Sequence, residues 1–246
     1  MTELYDQIGK GYSIGRKTDH QIAAQFYAFL DNAESILNIG AGAGSYEPPG
    51  KNLVVVEPSI EMISQRPPGS FRVVRSVADL LPFDNKSFSH SMTVLSMHHW
   101  SQRREAFKEI NRVTRELFVA VTWDPQAKPF WLTRDYFPEI YQIDQNLFPG
   151  LDQLRDAFLS IDIYPLMVPS KCRDGFLAAY WARPSAYLDE SVRGRISTFS
   201  RITNIDFGVQ KLTDDLQTLE WYRNNSNLSN LSELDVGYKI VVCKTR

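Results

Sequence analysis

Two groups of residues near the start of the chain could do chemistry. Asn38-Ile39-Gly40-Ala41-Gly42-Ala43-Gly44 closes a short apolar run, Ser35 to Ile39. Glycines spaced in this way let the backbone turn tightly and come close to a ligand, because a Cβ would block either task. Glu57 closes a second apolar run, Leu53 to Val56, and is followed by Pro58. A carboxylate at that place can accept both hydrogen bonds of a ribose diol. Together the loop and the acid read as an adenosine site. A nicotinamide or flavin site stays open, because Gly40, Gly42 and Ser45 approximate the dinucleotide fingerprint. Against it, the motif follows an N-terminal helical segment, and Pro48, Pro49 and Gly50 leave little room for the usual long helix.

Further along, His98 and His99 follow an apolar run that ends at Leu95 and Ser96, and Trp123-Asp124-Pro125 closes another. His98, His99 and Asp124 are candidate bases by position, needed only if an acceptor must lose a proton. Each also has a plain structural reading, as a packed imidazole or a turn-forming Asp-Pro. The segment Cys172 to Tyr187 carries Tyr180, Trp181, Arg183 and Tyr187. Aromatic walls with a few polar groups suit an apolar organic acceptor, and Tyr180 and Arg183 are the favoured contacts.

The elements that must position these residues are legible from periodicity. A helix is expected from Asp19 to Leu30, with Ile22, Phe26, Phe29 and Leu30 on one face. Ser35–Ile39, Leu53–Val56, Phe71–Arg75, His90–Leu95 and Leu117–Thr122 read as strands, with helices starting after Ser59 and spanning Gln102 to Val113. Strands alternating with helices at this spacing imply a doubly wound α/β fold with a mostly parallel sheet covered on both faces. Leu151–Leu159 reads as a helix, and Ile161–Val168 and Gly237–Cys243 as strands. Between those two strands lies a mainly helical insertion, including 186–199 and 209–221, read as a cap over residues 171–235. The whole of 1–246 is expected to be a single domain.

Composition excludes several classes. With 27 Lys and Arg against 29 Asp and Glu, the net charge is −2, and no basic run offers a stripe for nucleic acid. No apolar stretch approaches a membrane span, so no membrane partner is expected. The two cysteines, Cys172 and Cys243, lack metal-ligand spacing, and no metal is expected. The N-terminus lacks the segments of a secretory signal, which makes the cytoplasm the expected compartment. Oligomeric state is not legible.

The strings Ile36–Gly44, Val56-Glu57-Pro58-Ser59, Ala78-Asp79-Leu80-Leu81-Pro82-Phe83-Asp84 and Ser96-Met97-His98-His99-Trp100, in that order and spacing, resemble the class I, Rossmann-like S-adenosylmethionine-dependent methyltransferases. They are most similar to the small-molecule, type 11 group related to ubiquinone and menaquinone C-methyltransferases, over about residues 30 to 125. The resemblance implies a seven-stranded sheet with an antiparallel C-terminal strand. It implies S-adenosyl-L-methionine as cofactor and methyl transfer to O, N or C of a small metabolite, in keeping with secondary metabolism. By it Asn38, Gly40, Ala41, Gly42 and Gly44 approach the methionine and ribose parts. Glu57 and Pro58 lie at the ribose, Ala78 and Asp79 at the adenine, and Leu95 and Ser96 near the sulfonium. Residues 1–18 would cover the cofactor, with Tyr12 and Arg16 over it and Arg16 paired to its carboxylate. His98 and Asp124 would be the catalytic candidates, and His99, Trp123, Tyr180 and Arg183 the substrate contacts. The sequence departs from the group's pattern at Asn38, where an acid is usual, at Val77, in place of an adenine-binding acid, and at Ser89, in place of an aspartate. Those departures keep a third alternative open beside an NAD(P)-dependent oxidoreductase: a catalytically idle S-adenosylmethionine-binding protein.

Overall fold

The computed structural model describes residues 15–246, so Tyr12 and most of the covering segment expected over 1–18 lie outside the described residues. Short runs of β-branched and aliphatic residues form the centre of the sheet. β1 (Ile36–Ile39) is flanked by β2 (Leu53–Val56) and β4 (Phe88–Val94), with β3 (Arg72–Val74) at one edge and β5 (Thr114–Trp123) beyond β4. These five run parallel. β7 (Glu233–Lys244) is antiparallel to β5, and β6 (Ser160–Pro169) is antiparallel to β7 in turn, giving the order β3-β2-β1-β4-β5-β7-β6. The seven-stranded, mostly parallel sheet with an antiparallel last strand is thus present.

Helices pack on both faces, although the connections from β1 to β2 and from β3 to β4 are made of turns alone. On one face α1 (His20–Tyr27) buries Ile22 and Phe26. Its cap, Asp19, accepts from Gln21 N and Ile22 N at 2.9 and 3.1 Å through one oxygen, and from Arg173 N at 2.9 Å through the other, which ties the helix start to the cap segment. After β2 comes the short helix α2 (Ile60–Ser64), capped by Ser59 Oγ on Met62 N at 3.3 Å. The other face is covered by α3 (Arg103–Val113), which buries Phe107, Ile110 and Val113 beside Leu37, Ile39 and Phe118. Ser89, a departure from the family pattern, stitches β4 to the start of β1: its Oγ accepts from Glu34 N and Ser35 N, both at 3.0 Å, and donates to Ser35 O at 2.8 Å.

The cap differs from the expectation in two ways. First, it recruits two helices from the connection after β5, α4 (Trp131–Asp135) and α5 (Pro138–Leu147), a stretch without an assigned element in the sequence reading. Pro138 at the first turn pre-sets the backbone of α5, and Ile140 is fully buried. Second, the helix expected over 186–199 is broken into a 3₁₀ turn at Pro184–Leu188, α7 (Glu190–Arg193) and a 3₁₀ turn at Ser197–Arg201, with Gly194 ending α7. α6 (Leu151–Ala157) precedes β6 as expected. The helix expected over 209–221 divides into α8 (Ile205–Gln217) and α9 (Glu220–Asn224) at Leu219, whose φ is +61°. A separate apolar cluster of Trp131, Phe137, Tyr187, Phe199, Leu212 and Trp221 holds these pieces together. No described helix is long and apolar enough to cross a membrane.

Candidate active site

The sheet order reverses direction between β1 and β4, and the carboxyl ends of the strands there open a crevice, the place where open α/β sheets bind ligands. β1 delivers Gly40 at φ +70°, Gly42 at +55° and Gly44 at +98°. A Cβ on Gly40 would lie 1.9 Å from Ser96 Oγ, so Gly40 is required for the two strand ends to meet. A Cβ on Gly42 would meet nothing within 4 Å. Its bare face is the floor of the cleft. Glu57, at the end of β2, is buried, and its carboxylate is pinned by two backbone donors: Gly42 N to Oε2 at 2.7 Å and Ser59 N to Oε1 at 2.9 Å. Pinning by backbone fixes the carboxylate's orientation before any ligand arrives.

The cleft is lined by Arg16, Asn38, Gly40, Ala41, Gly42, Glu57, Pro58, Ala78, Asp79, Leu95, Ser96 and His99 of the expected set. Gly44 does not line it; a Cβ there would face the Arg66 guanidinium, which is held by Glu47 at 2.6 Å. Met62, Ser76, Trp100 and Ser101 also stand in the wall and were not among the expected site residues, although Trp100 closes the string Ser96–Trp100. Its indole Nε1 donates to Ser96 Oγ at 3.1 Å across one turn. Arg16 lines the cleft with its guanidinium tied to the cap. Its Nε and Nη2 donate to the two oxygens of Asp174 at 2.8 and 3.2 Å, and Tyr46 Oη donates to the same carboxylate at 3.0 Å. The guanidinium expected to meet the cofactor's carboxylate is therefore held from the cap by a buried acid.

Leu95 follows β4 with φ +49°, a left-handed conformation uncommon for a bulky residue, and donates its N–H to Val121 O at 2.8 Å. Strain of this kind persists only where surrounding structure enforces it. Leu95 and Arg16 border both the cleft and a second cavity beyond it. The 3₁₀ turn Met97–His99 then sets the two imidazoles against each other, with ring centroids 3.7 Å apart, His99 lining the cleft and His98 the second cavity. His98 stacks on Phe148 with centroids 4.2 Å apart, and its Nδ1 is buried without a hydrogen-bond partner among the described residues. Burial, reinforced by His99, Arg16, Arg103 and Arg201, holds the His98 imidazole well below the usual histidine range. Burial likewise pushes His99 down to about 3. Both rings are neutral at physiological pH.

The second cavity also has Asp144, Phe176, Leu177, Arg195, Thr198 and Tyr238 in its wall. Thr198 Oγ1 donates to Asp144 Oδ1 at 3.1 Å, and burial raises Asp144 to about 7 despite that bond and Arg201. Of these six, Phe176 and Leu177 fall in the cap segment Cys172 to Tyr187 read from the sequence as an acceptor wall, and none was a named site residue. Of the remaining expected residues, Trp123 borders a small adjoining cavity, its indole donating to Val236 O at 3.1 Å. Asp124 lines neither cavity; its Oδ1 accepts from Gln126 N at 2.9 Å and closes the turn after β5. Tyr180 and Arg183 also line neither cavity. Arg183 lies 4.7 Å from the Tyr180 ring centre and donates to Cys172 O and Ala179 O at 2.7 and 2.9 Å, so the pair braces the cap backbone. Among the described residues no group of His, Cys, Asp and Glu could hold a metal ion.

Residues 37–117 match the model of the methyltransferase domain family. A crystal structure from Anabaena variabilis, assigned as a methyltransferase of an antibiotic biosynthesis pathway, is 29% identical and superposes with a TM-score of 0.85, covering 93% of this chain and 98% of that one. A second, an S-adenosylmethionine-dependent methyltransferase from Thermotoga maritima described as a possible histamine N-methyltransferase, is 14% identical at a TM-score of 0.55, over 99% of this chain and 94% of that one, and shares the fold. An uncharacterized protein of Methanocaldococcus jannaschii is 26% identical over 120 residues, 47% of this chain and 48% of that one. The alignment thus spans about half the length of that curated relative.

The matched segment and the fold are those of the class I, Rossmann-like S-adenosylmethionine-dependent methyltransferases, to which the chain is similar. The residues present fit their cofactor: a bare glycine floor at Gly42, a pinned carboxylate at Glu57 and an apolar wall at Met62 and Ala78. They fit a dinucleotide poorly. The loop after β1 runs through turns from Ala41 to β2 with no helix, so no helix N-terminus is present to hold a pyrophosphate.

Proposed function

We propose that this protein transfers the methyl group of S-adenosylmethionine to an O, N or C atom of a small organic metabolite, within secondary metabolism. The observation that carries this reading is Glu57, buried and pinned by Gly42 N and Ser59 N at the lip of a cleft that shares Arg16 and Leu95 with a second cavity. One cavity suits a nucleoside and the other an acceptor. The sulfonium supplies a methyl group already joined to its leaving group, so the chain's own work is alignment and exclusion of water.

In this reading Glu57 accepts the ribose hydroxyls, and Gly40, Ala41 and Gly42 admit the methionine and ribose parts. Asn38 lines the methionine end, where an amide can offer a donor or an acceptor. Ala78 and Asp79 border the base, and Leu95 and Ser96 stand between donor and acceptor. His98, neutral and packed on Phe148, offers the acceptor a hydrogen-bonding edge. Asp124 is given no part, because its carboxylate closes a turn. Kinship with the ubiquinone and menaquinone group rests on the motif strings. A small acceptor rather than nucleic acid is supported by the net charge of −2 and by the enclosing cap. The pathway in which the Anabaena variabilis relative is placed supports a metabolic acceptor of the secondary kind.

The test is transfer of isotopically labelled methyl from S-adenosylmethionine to a panel of small hydroxyl, amine and carbon acceptors. Labelled product is expected. Binding and turnover of NAD(P)H in place of S-adenosylmethionine would overturn the reading, and cofactor binding without transfer to any acceptor would favour the idle binding protein.

A further inference from the structure

The second cavity contains a buried acid that the cofactor cleft does not use. Asp144 sits on α5, a helix of the cap, and Thr198 Oγ1 occupies its Oδ1 at 3.1 Å. Oδ2 takes no hydrogen bond among the described residues and is not sealed from the cavity. The surrounding wall sets the rings of Phe148, Phe176 and Tyr238 beside the polar Arg16, Arg195 and Thr198. Trp123 and Tyr141 line the adjoining cavity, which shares Asp144, Leu177 and Tyr238 with this one. A buried oxygen with a vacant lone pair selects a ligand that brings a donor, because an isostere without one leaves the oxygen unpaired.

The charges around the cavity narrow the donor further. Arg16 and Arg195 border it, Arg103 and Arg201 act on it from α3 and from the 3₁₀ turn Ser197–Arg201, and His98 is neutral. Arg16 is balanced by Asp174. The prevailing field is positive, which opposes an ammonium group and favours an oxygen that becomes anionic. We propose that this cavity receives a weakly acidic hydroxyl, phenolic or enolic, of the acceptor, and that Asp144 takes the hydroxyl's proton. The inference rests on the proposed methyl transfer. In the balanced step the O–H bond breaks toward Asp144 Oδ2 and the oxygen lone pair forms the new O–CH₃ bond. The S–CH₃ bond breaks with its electron pair left on sulfur. The products are a methyl ether, S-adenosylhomocysteine and protonated Asp144, which returns its proton to solvent.

The test is titration of the protein saturated with S-adenosylhomocysteine, by NMR, with p-cresol, toluene and 4-methylbenzylamine, well below and well above pH 7. His98 lies below the usual range and Tyr238 above its own, whereas burial raises Asp144 to about 7, so among these wall groups Asp144 is the one expected to titrate there. p-Cresol itself keeps its proton to about pH 10. The expected result is that p-cresol binds about tenfold or more tightly than toluene at the higher pH, the scale of a hydrogen bond to a charged group. This advantage should shrink at the lower pH and vanish in Asp144→Asn, whose affinity for S-adenosylhomocysteine stays within about twofold of wild type. Equal binding of p-cresol and toluene, preference for the amine, no binding of any probe, or an Asp144→Asn protein that keeps the preference would each overturn the proposal. The wild-type pH comparison decides even if the variant does not fold. Failure of the wild-type protein to bind S-adenosylhomocysteine would instead overturn the methyltransferase reading on which it rests.

Discussion

Glu57 Oε2 accepts the Gly42 N–H at 2.7 Å, a bond that joins the end of β2 to the loop after β1 across fifteen residues of sequence. The acid therefore has two tasks. It shapes the glycine loop, and it lines the cleft. Replacing it should disturb both.

Glu57→Ala is expected to weaken S-adenosylhomocysteine binding by roughly 1.5–3 kcal/mol, the range for hydrogen bonds to a charged group. Calorimetric titration of the purified variant checks this. An unchanged affinity would place the ribose elsewhere.

Gly42→Val fills the cleft floor from a position where a Cβ meets no protein atom within 4 Å, so binding should vanish while the fold remains. The positive φ of +55° adds local strain of about 1–3 kcal/mol, seen as a modest fall in melting temperature. Gly40→Ala offers the contrast. Its Cβ would lie 1.9 Å from Ser96 Oγ, and the larger fall in melting temperature should be here.

Asp174→Asn should be costly although it lies in the cap. The carboxylate is buried and receives Arg16 Nε, Tyr46 Oη and Gly175 N at 2.8, 3.0 and 2.7 Å. Removing one partner of a buried ion pair typically costs about 3–5 kcal/mol. Urea denaturation measures it, and a loss below about 1 kcal/mol would show the pair to be ornamental.

Asp144 predicts a pH dependence of stability. Its folded pKa, about 7, exceeds the ordinary carboxylate value of 3.8, so between those values the folded state binds more protons than the unfolded one. Stability contributed by the neutral acid is then complete below about pH 4 and is lost as pH rises toward 7. The slope is about 1.4 kcal/mol per pH unit at most. Urea midpoints across that window should fall in the wild-type protein and flatten in Asp144→Asn.

The sheet and the cofactor cleft were legible because both are written in local pattern. β1 and β2 are buried on all or nearly all positions, so apolar runs stopping at Gly40 and at Glu57 mark their ends. The acceptor side was illegible for a physical reason. His98, Asp144, Thr198 and Tyr238 come from the turn after β4, from α5, from the turn before α8 and from β7. Only tertiary packing brings them together. The aromatic Tyr180 and the cation Arg183 misled because a chemically suggestive pair can equally brace a backbone. Likewise the expected helix over 186–199 ignored Gly194, whose place at the end of α7 breaks the run.

The central claim is that the cleft between the ends of β1, β2 and β4 takes S-adenosylmethionine, and titration calorimetry with S-adenosylhomocysteine, with NADH as the comparison ligand, tests it most directly. Micromolar binding of S-adenosylhomocysteine alone, lost in Gly42→Val, is the predicted result. Binding of NADH instead, or of neither ligand, would contradict it.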